Sequence, residues 1–184
     1  MAYGSYCTQI GPDGQGAMRC GPASVASVLL DDGWQSDPWQ LTLQLEAQSD
    51  PQGDGTTSAD LIALANANGL DGRLWYGWPE ADAALLAGEA VLVLCDNRYL
   101  QPRTYPAGAS WEALHWVRCV VHSQRDDMLY LYDPLTYARQ NDGTVYQGPV
   151  ASTVDGCSEA IQRTAWPEAG VILTSRQGRN LNAR

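Results

Sequence analysis

Cys20 stands directly before a run of small and apolar residues, from Gly21 to Leu30, that predicts a buried helix. Pro22 suits the first turn of that helix, where a missing N–H costs nothing. A thiol at this position meets the positive end of the helix dipole and amide groups that have no partner inside the helix. Because these groups lower the pKa of a thiol, the position favours a nucleophile. The alternative is a small buried side chain at the start of a core helix, the commoner fate of a lone cysteine.

His115 begins an apolar stretch that predicts a buried strand, and a second strand ends just before Asp133. The polar residues 124–127 separate the two strands and predict a hairpin turn. Because a hairpin brings the start of its first strand beside the end of its second, we expect the Asp133 carboxylate to orient the His115 imidazole. With Cys20, these residues form the set that nucleophilic acyl transfer requires.

Four short motifs follow one another along the chain: Cys20-Gly21-Pro22-Ala23, Gly53-Asp54-Gly55-Thr56-Thr57, His115-Trp116-Val117 and Tyr132-Asp133-Pro134. In this order they resemble papain-like cysteine peptidases of the double-glycine-leader (bacteriocin-processing) peptidase-like family. The resemblance extends from about residue 6 to about residue 175. It implies that Cys20 is the nucleophile, that His115 is the general base and acid, and that Asp133 orients the imidazole.

The same family uses a glutamine upstream of the cysteine, whose side-chain amide completes the oxyanion hole. This chain offers two candidates, Gln9 in an extended segment and Gln15 in a glycine-rich loop. A flexible loop is poorly suited to hold a donor still, and preorganisation makes such a donor useful. We therefore expect Gln9 to fill this role, with Gln15 as the second candidate.

The order of the predicted elements indicates an α+β fold. We expect an N-terminal helical lobe packed on a C-terminal antiparallel sheet, the papain-like arrangement that the resemblance implies. Residues 1–175 form a single domain in this interpretation, and residues 176–184 form a basic C-terminal tail. The predicted helices span about 20–32, 36–48, 59–68, 80–87 and 158–164, and the predicted strands span 90–95, 115–121, 128–132 and 170–174.

Composition excludes several classes of function. The formal net charge of −10 argues against binding to a nucleic-acid backbone. No apolar run approaches the roughly 18 residues of a membrane span, and the start of the chain lacks a signal sequence. We therefore expect a cytoplasmic protein or one associated with a virion or other assembly. Five cysteines without a CxxC pair do not predict a disulfide framework, and Cys95 and Cys119 are expected to be reduced core residues.

We predict no cofactor and no metal site. Asp50, Gln52 and Asp54 echo the start of a calcium loop, but Leu61 occupies the position where such a loop needs a bidentate glutamate. His115 and Cys119 are four residues apart on one predicted strand, roughly 13 Å, which is too far to share an ion. His122, at the exit of that strand, is interpreted as a turn residue.

Two aromatic segments could line the predicted site: residues 75–78, and a loop over residues 96–113 that carries Arg98, Tyr99, Tyr105 and Trp111. Substrate contact and ordinary packing between the lobes account for them equally well. The three arginines of the tail, Arg176, Arg179 and Arg184, fit a frayed terminus better than a docking site for an acidic partner or a larger assembly.

Three functions remain open at this point. The first is a thiol hydrolase that cleaves a peptide or isopeptide bond of a peptide or protein substrate. The second is a structural or binding subunit of a phage particle or secretion assembly that keeps a vestigial peptidase fold. The third is an acyl transferase that uses the same three residues with an amine acceptor.

Overall fold

The protein is described here by a computed structural model, which covers residues 5–10, 18–49, 55–100, 114–135 and 149–182. Its elements are, in chain order, α1 Cys20–Asp31, α2 Pro38–Ser49, α3 Ser58–Ala67, β1 Leu70–Trp75, α4 Trp78–Leu86, β2 Ala90–Asp96, β3 Leu114–Ser123, β4 Met128–Tyr132, β5 Val150–Thr153, α5 Val154–Gln162 and β6 Gly170–Ser175.

The six strands form one sheet in the order β1-β6-β2-β3-β4-β5, and every neighbouring pair is antiparallel. Strand β2 lies near the centre, and all seven of its residues are buried. A continuous apolar strand of this kind has both faces covered. The α+β architecture with helices first and an antiparallel sheet later is confirmed.

Each face of the sheet carries its own apolar core. On one face, the helices α1, α2 and α3 pack against side chains such as Leu92 and Leu94 of β2. On the other face, α4 and α5 cover Val91, Val93 and Cys95 of the same strand. The alternation of side chains along β2 explains this division, because successive residues of a strand point to opposite faces.

Two strands were not predicted from the sequence. Strand β1 contains Asp71, Gly72 and Arg73, which weaken any apolar alternation, and it forms one edge of the sheet. Gly72 lets the strand lie close to α3, since a Cβ atom there would make a tight 3.2 Å contact with the backbone of Ile62. Strand β5 has only four residues at the opposite edge. The helix predicted from Ser158 begins earlier, at Val154, because the side chain of Thr153 caps it.

The C-terminal segment packs against the domain as far as residue 182, so the expectation of a frayed tail is wrong for these residues. Leu181 is fully buried, and its N–H donates to the carbonyl of Gly88 at 2.7 Å. Its carbonyl accepts a 2.5 Å hydrogen bond from Arg118, whose buried guanidinium also pairs with Asp31 at 2.7 Å. Arg184 lies outside the described residues, and the domain boundary at residue 175 stays a prediction.

All five cysteines are buried and none is in a disulfide, as expected for Cys95 and Cys119. Among the helices that the structure describes, none is long and apolar enough to cross a membrane.

Candidate active site

Three elements bring Cys20, His115 and Asp133 to one end of the sheet. Cys20 is the first residue of α1, His115 is the second residue of β3, and Asp133 follows directly after β4. Because β3 and β4 are antiparallel, the start of one lies at the same end as the finish of the other. The hairpin therefore brings His115 and Asp133 together, as the sequence predicted.

His115 and Asp133 form a buried, directly bonded pair. The distance from His115 Nε2 to Asp133 Oδ1 is 2.7 Å, and both side chains are only 2% exposed. The same carboxylate oxygen accepts a hydrogen bond from the backbone N–H of Leu135 at 2.8 Å. Two donors on one oxygen fix the carboxylate in place, so the imidazole is held in one orientation.

The thiol of Cys20 is hydrogen-bonded to the imidazole of His115. Burial alone would raise its pKa, but a hydrogen bond and the positive charge of His115, with hydrogen bonds to the backbone of Trp116 and Gly21, lower the pKa below the ordinary value. Since Nε2 of His115 faces Asp133, Nδ1 is the ring nitrogen left for Cys20. The order of contacts is therefore Cys20, His115, Asp133.

The imidazole of His115 is held in its protonated form. Burial acts to lower its pKa, but the charge and hydrogen bond of Asp133 and the contact with Cys20 outweigh burial and raise the pKa to about 10. The lowered pKa of Cys20 and the raised pKa of His115 both shift the pair towards thiolate and imidazolium. The four remaining cysteines differ from Cys20, because burial raises the pKa of each of them: Cys7, Cys95, Cys119 and Cys157.

Gln9 lies in a segment that is tied to the residues around Asp133. Its backbone N–H donates to the carbonyl of Pro134 at 3.1 Å, and its side chain is buried. The hydroxyl of Tyr6 donates to the carbonyl of Asp133 at 3.0 Å. The segment is thus anchored directly beside the Cys20 end of the sheet. Gln15 falls outside the described residues.

The loop before α3 contacts both sides of the site. The backbone carbonyl of Thr56 accepts a hydrogen bond from the indole N–H of Trp116 at 2.9 Å. A Cβ atom on Gly21 would lie 2.0 Å from the Thr56 hydroxyl oxygen, so the residue after Cys20 has to be glycine. The sequence motifs marked Gly21, Thr56 and Trp116 separately, and the structure shows that they meet.

Several exposed apolar side chains lie on segments at this end of the sheet. Among the described residues, six large apolar side chains are exposed, and only Leu86 lies elsewhere. The other five sit next to α1, β3 or the ends of β1, β2 and β6, and we call them the rim: Met18, Tyr76, Tyr99, Leu114 and Trp166. Adjacency to Cys20 and His115 was the only signal in the sequence that could have identified Met18 and Leu114.

In the aromatic segment 75–78, some side chains are packed in the core and one is exposed. Trp75 is fully buried and donates its indole N–H to the carbonyl of Leu92, and its ring lies 5.2 Å from that of Trp78. Tyr76 alone is strongly exposed. The second segment is described only to Leu100, so Tyr105 and Trp111 lie outside the described residues.

The prediction that His122 is a turn residue is wrong. His122 lies within β3, opposite Leu129 of β4, and bonds two carboxylates, Asp82 at 2.6 Å through Nδ1 and Asp127 at 3.3 Å through Nε2. Despite partial burial, these bonds raise its pKa. The pair with Asp82 ties α4 to the sheet.

Among the residues that the structure describes, no group of three or more His, Cys, Asp or Glu side chains is arranged to hold a metal ion. Asp50, Gln52 and Asp54, which begin the rejected calcium-loop pattern, are outside the described ranges.

Three solved structures are similar to this fold. A protein described as a C39-like peptidase from Bacillus anthracis superposes with a TM-score of 0.64 at 13% sequence identity, over 96% of this chain and 98% of that chain. The peptidase domain of Streptococcus ComA, a bifunctional ABC transporter of a quorum-sensing pathway, gives a TM-score of 0.50 at 18% identity, over 94% and 98% of the two chains.

A double glycine motif protease from an AMS/PCAT transporter, solved in complex with the leader peptide, gives a TM-score of 0.52 at 16% identity, over 94% of this chain and 92% of that chain. No family model matches the sequence, and no curated protein matches it significantly. The fold is therefore the papain-like fold of C39-type peptidases, as the sequence motifs predicted.

Proposed function

We propose that this chain is a cysteine peptidase that cleaves a peptide or isopeptide bond through an acyl-enzyme on Cys20. The observation that carries the proposal is the continuous contact from Cys20 through His115 to Asp133, with the imidazole bonded to the carboxylate at 2.7 Å. A thiolate next to a protonated imidazole is ready for attack without a separate deprotonation step.

In the first half of the proposed reaction, the Cys20 thiolate attacks the carbonyl carbon of the substrate and forms a C–S bond. The carbonyl oxygen becomes an oxyanion, which the side-chain amide of Gln9 and the backbone N–H of Cys20 stabilise. His115 donates its Nδ1 proton to the leaving amine as the C–N bond breaks. Asp133 holds the ring in this orientation throughout.

In the second half, the now neutral His115 takes a proton from water as the water oxygen attacks the thioester. Collapse of the second oxyanion breaks the C–S bond, releases the carboxylic acid product and restores the thiolate–imidazolium pair. The transfer of one proton out and one proton back leaves the enzyme unchanged, so no cofactor enters this mechanism.

The rim supports a peptide or protein as the substrate. The exposed apolar side chains at this end of the sheet offer surface that a peptide can bury, which a small polar substrate cannot use. One solved structure of similar fold was obtained with a leader peptide bound. We propose that this chain likewise binds an extended peptide at the rim, and that its net charge of −10 favours neutral or basic peptides.

Cleavage of a peptide library tests the function. The library contains peptides with free amino groups and peptides whose amino groups are blocked. The wild-type protein is expected to cleave a subset of peptides, and Cys20→Ala is expected to cleave none. Cys157→Ala is the matched control, because Cys157 is buried in the other core and its thiol is held protonated. An epoxide inhibitor is expected to label Cys20 in the wild type. Failure of both labelling and cleavage in the folded protein would contradict the proposal, and transfer to an added amine without hydrolysis would assign an acyl transferase instead.

A further inference from the structure

Trp116 connects the three parts of the site that the sequence keeps far apart. Its indole N–H donates to the carbonyl of Thr56 at 2.9 Å, and its own carbonyl accepts from the hydroxyl of Ser24 at 3.5 Å. Ser24 belongs to α1, Thr56 to the loop before α3, and Trp116 to β3. Trp116 is 2% exposed and Thr56 is half-buried, so the indole bond is partly shielded from water.

The backbone of Trp116 also meets the thiol directly. The backbone of Trp116 is hydrogen-bonded to Cys20, and the imidazole that pairs with this thiol belongs to the preceding residue, His115. Any movement of the start of β3 would therefore displace two of the partners of the Cys20 thiolate together. A hydrogen bond to a thiolate is charge-assisted, so a small displacement costs more than it does between neutral groups.

We propose that Trp116 is a positioning residue whose indole bond to Thr56 fixes the start of β3 against the start of α1, and so holds both His115 and the Trp116 backbone at Cys20. This inference rests on the proposed function, because it assigns how the nucleophile of that reaction is kept in place. Trp116 itself contacts no reacting atom of the substrate in this assignment.

The titratable and charged groups around Cys20 come from several neighbouring elements. His115 lies on β3, Asp133 lies behind it after β4, and the buried thiol of Cys95 lies on β2. On the chain segment before α1, Arg19 is engaged with Glu46 at 2.8 Å. Of these groups only His115 is a positive partner of the thiol, so the position of β3 sets the main charge that stabilises the thiolate.

The chain contains a matched control in Trp75. This residue is also buried in a strand, and its indole N–H also donates to a backbone carbonyl at 2.9 Å, that of Leu92. It packs in the core between the sheet and α4, away from Cys20. Replacing either tryptophan by phenylalanine removes the same kind of bond at a similar structural cost, but only one replacement acts on the site.

The test measures the rate of Cys20 alkylation by iodoacetamide as a function of pH, which requires no substrate. In Trp116→Phe we expect the apparent pKa of alkylation to rise by roughly half to one unit, because the loss of one hydrogen bond releases the start of β3. In Trp75→Phe we expect the wild-type profile. Turnover of a cleaved peptide is expected to fall about tenfold in Trp116→Phe, with KM unchanged.

If Trp116→Phe does not fold, benzothienylalanine at the same position keeps the ring shape and replaces only the N–H by sulfur. Suppose that the alkylation pKa is low in the wild type and that neither change at position 116 alters it. This result would overturn the inference but not the proposed function. A wild-type alkylation pKa at the ordinary thiol value would overturn both. Equal shifts in the variants at positions 75 and 116 would assign Trp116 a merely structural role and also overturn the inference.

Discussion

Asp133 lies diagonally across the hairpin from His115, two residues away from the position directly opposite it. The ladder pairs Arg118 with Tyr132, so the strand register places Asp133 opposite Val117, not His115. The 2.7 Å bond between His115 Nε2 and Asp133 Oδ1 therefore depends on how the chain turns after β4. Hydrogen bonds from Tyr6 and Leu135 hold that turn from two sides.

Replacing Asp133 with asparagine is expected to keep the fold and to lower kcat by roughly 10²–10⁴-fold. Asparagine fits the same space and accepts the same hydrogen bond, but it removes the charge that keeps the pKa of His115 high. The measurement is peptide cleavage, with circular dichroism as the check of folding. Asp126, at the exposed hairpin tip, supplies the control, and Asp126→Asn should retain wild-type activity. Wild-type activity in both variants would show that the carboxylate of Asp133 has no role in turnover.

We expect the pH dependence of the proposed activity to follow from the two shifted pKa values. The pKa of Cys20 is lowered, so the thiolate is lost as the pH falls through a value below that of an ordinary thiol. The pKa of His115 is raised to about 10, so the proton needed by the leaving amine is lost only as the pH rises through that value. We expect a broad plateau of kcat/KM across neutral pH with one limb on each side.

The rate of alkylation by iodoacetamide depends on the Cys20 thiolate alone. It therefore measures the acid side of the pH profile separately from the protonation of His115. Cys20 is expected to react at neutral pH well before Cys95 or Cys119, whose pKa values burial raises. Mass spectrometry of tryptic peptides identifies the modified residue. If no thiol of the native protein reacted, and all five reacted equally after unfolding, the nucleophile assignment would have to be abandoned.

The buried contacts of the C-terminal segment predict a loss of stability when they are removed. Leu181→Ala should lower the free energy of unfolding by about 2–5 kcal/mol, because it leaves a cavity in a fully buried site. Arg176→Ala removes only an exposed ion pair with Asp71 and should cost less than about 1 kcal/mol. Urea titration of both variants measures the difference. Similar values would mean that the segment does not stabilise the domain.

The sequence was sufficient to place the three candidate residues because each lies where a regular element starts or ends. The helix signal at Pro22 located Cys20, and the hairpin signal located His115 relative to Asp133. Neither inference needed long-range information, since α1 and the hairpin are local structures. The shared fold with C39-type peptidases supports the papain-like arrangement that the motifs suggested.

Other features depended on contacts between distant residues and could not be predicted. Strand β1 pairs with β6 across about a hundred residues, and its charged and glycine-containing sequence carries no strand signal. The polar tail is held by the buried Arg118, which lies in the middle of an apolar strand. The bond between Trp116 and Thr56 joins residues 60 apart in the sequence. Composition and periodicity contain no information on such pairings.

The role of Gln9 in the proposed oxyanion hole leads to the last prediction. Gln9→Ala should lower kcat by roughly 10²–10³-fold, the usual effect of losing one preorganised donor. KM should barely change, because the hydrogen bond strengthens only when the carbonyl oxygen becomes charged. The anchoring of its backbone to Pro134 keeps the segment in place when the side chain is shortened, so the fold should be retained.

Gln15→Ala is the control for Gln9→Ala and should leave kcat close to the wild-type value. Stopped-flow and steady-state kinetics on one cleaved peptide separate these outcomes. A large effect at position 15 and none at position 9 would transfer the role to Gln15, and no effect at either would assign the oxyanion to backbone donors alone.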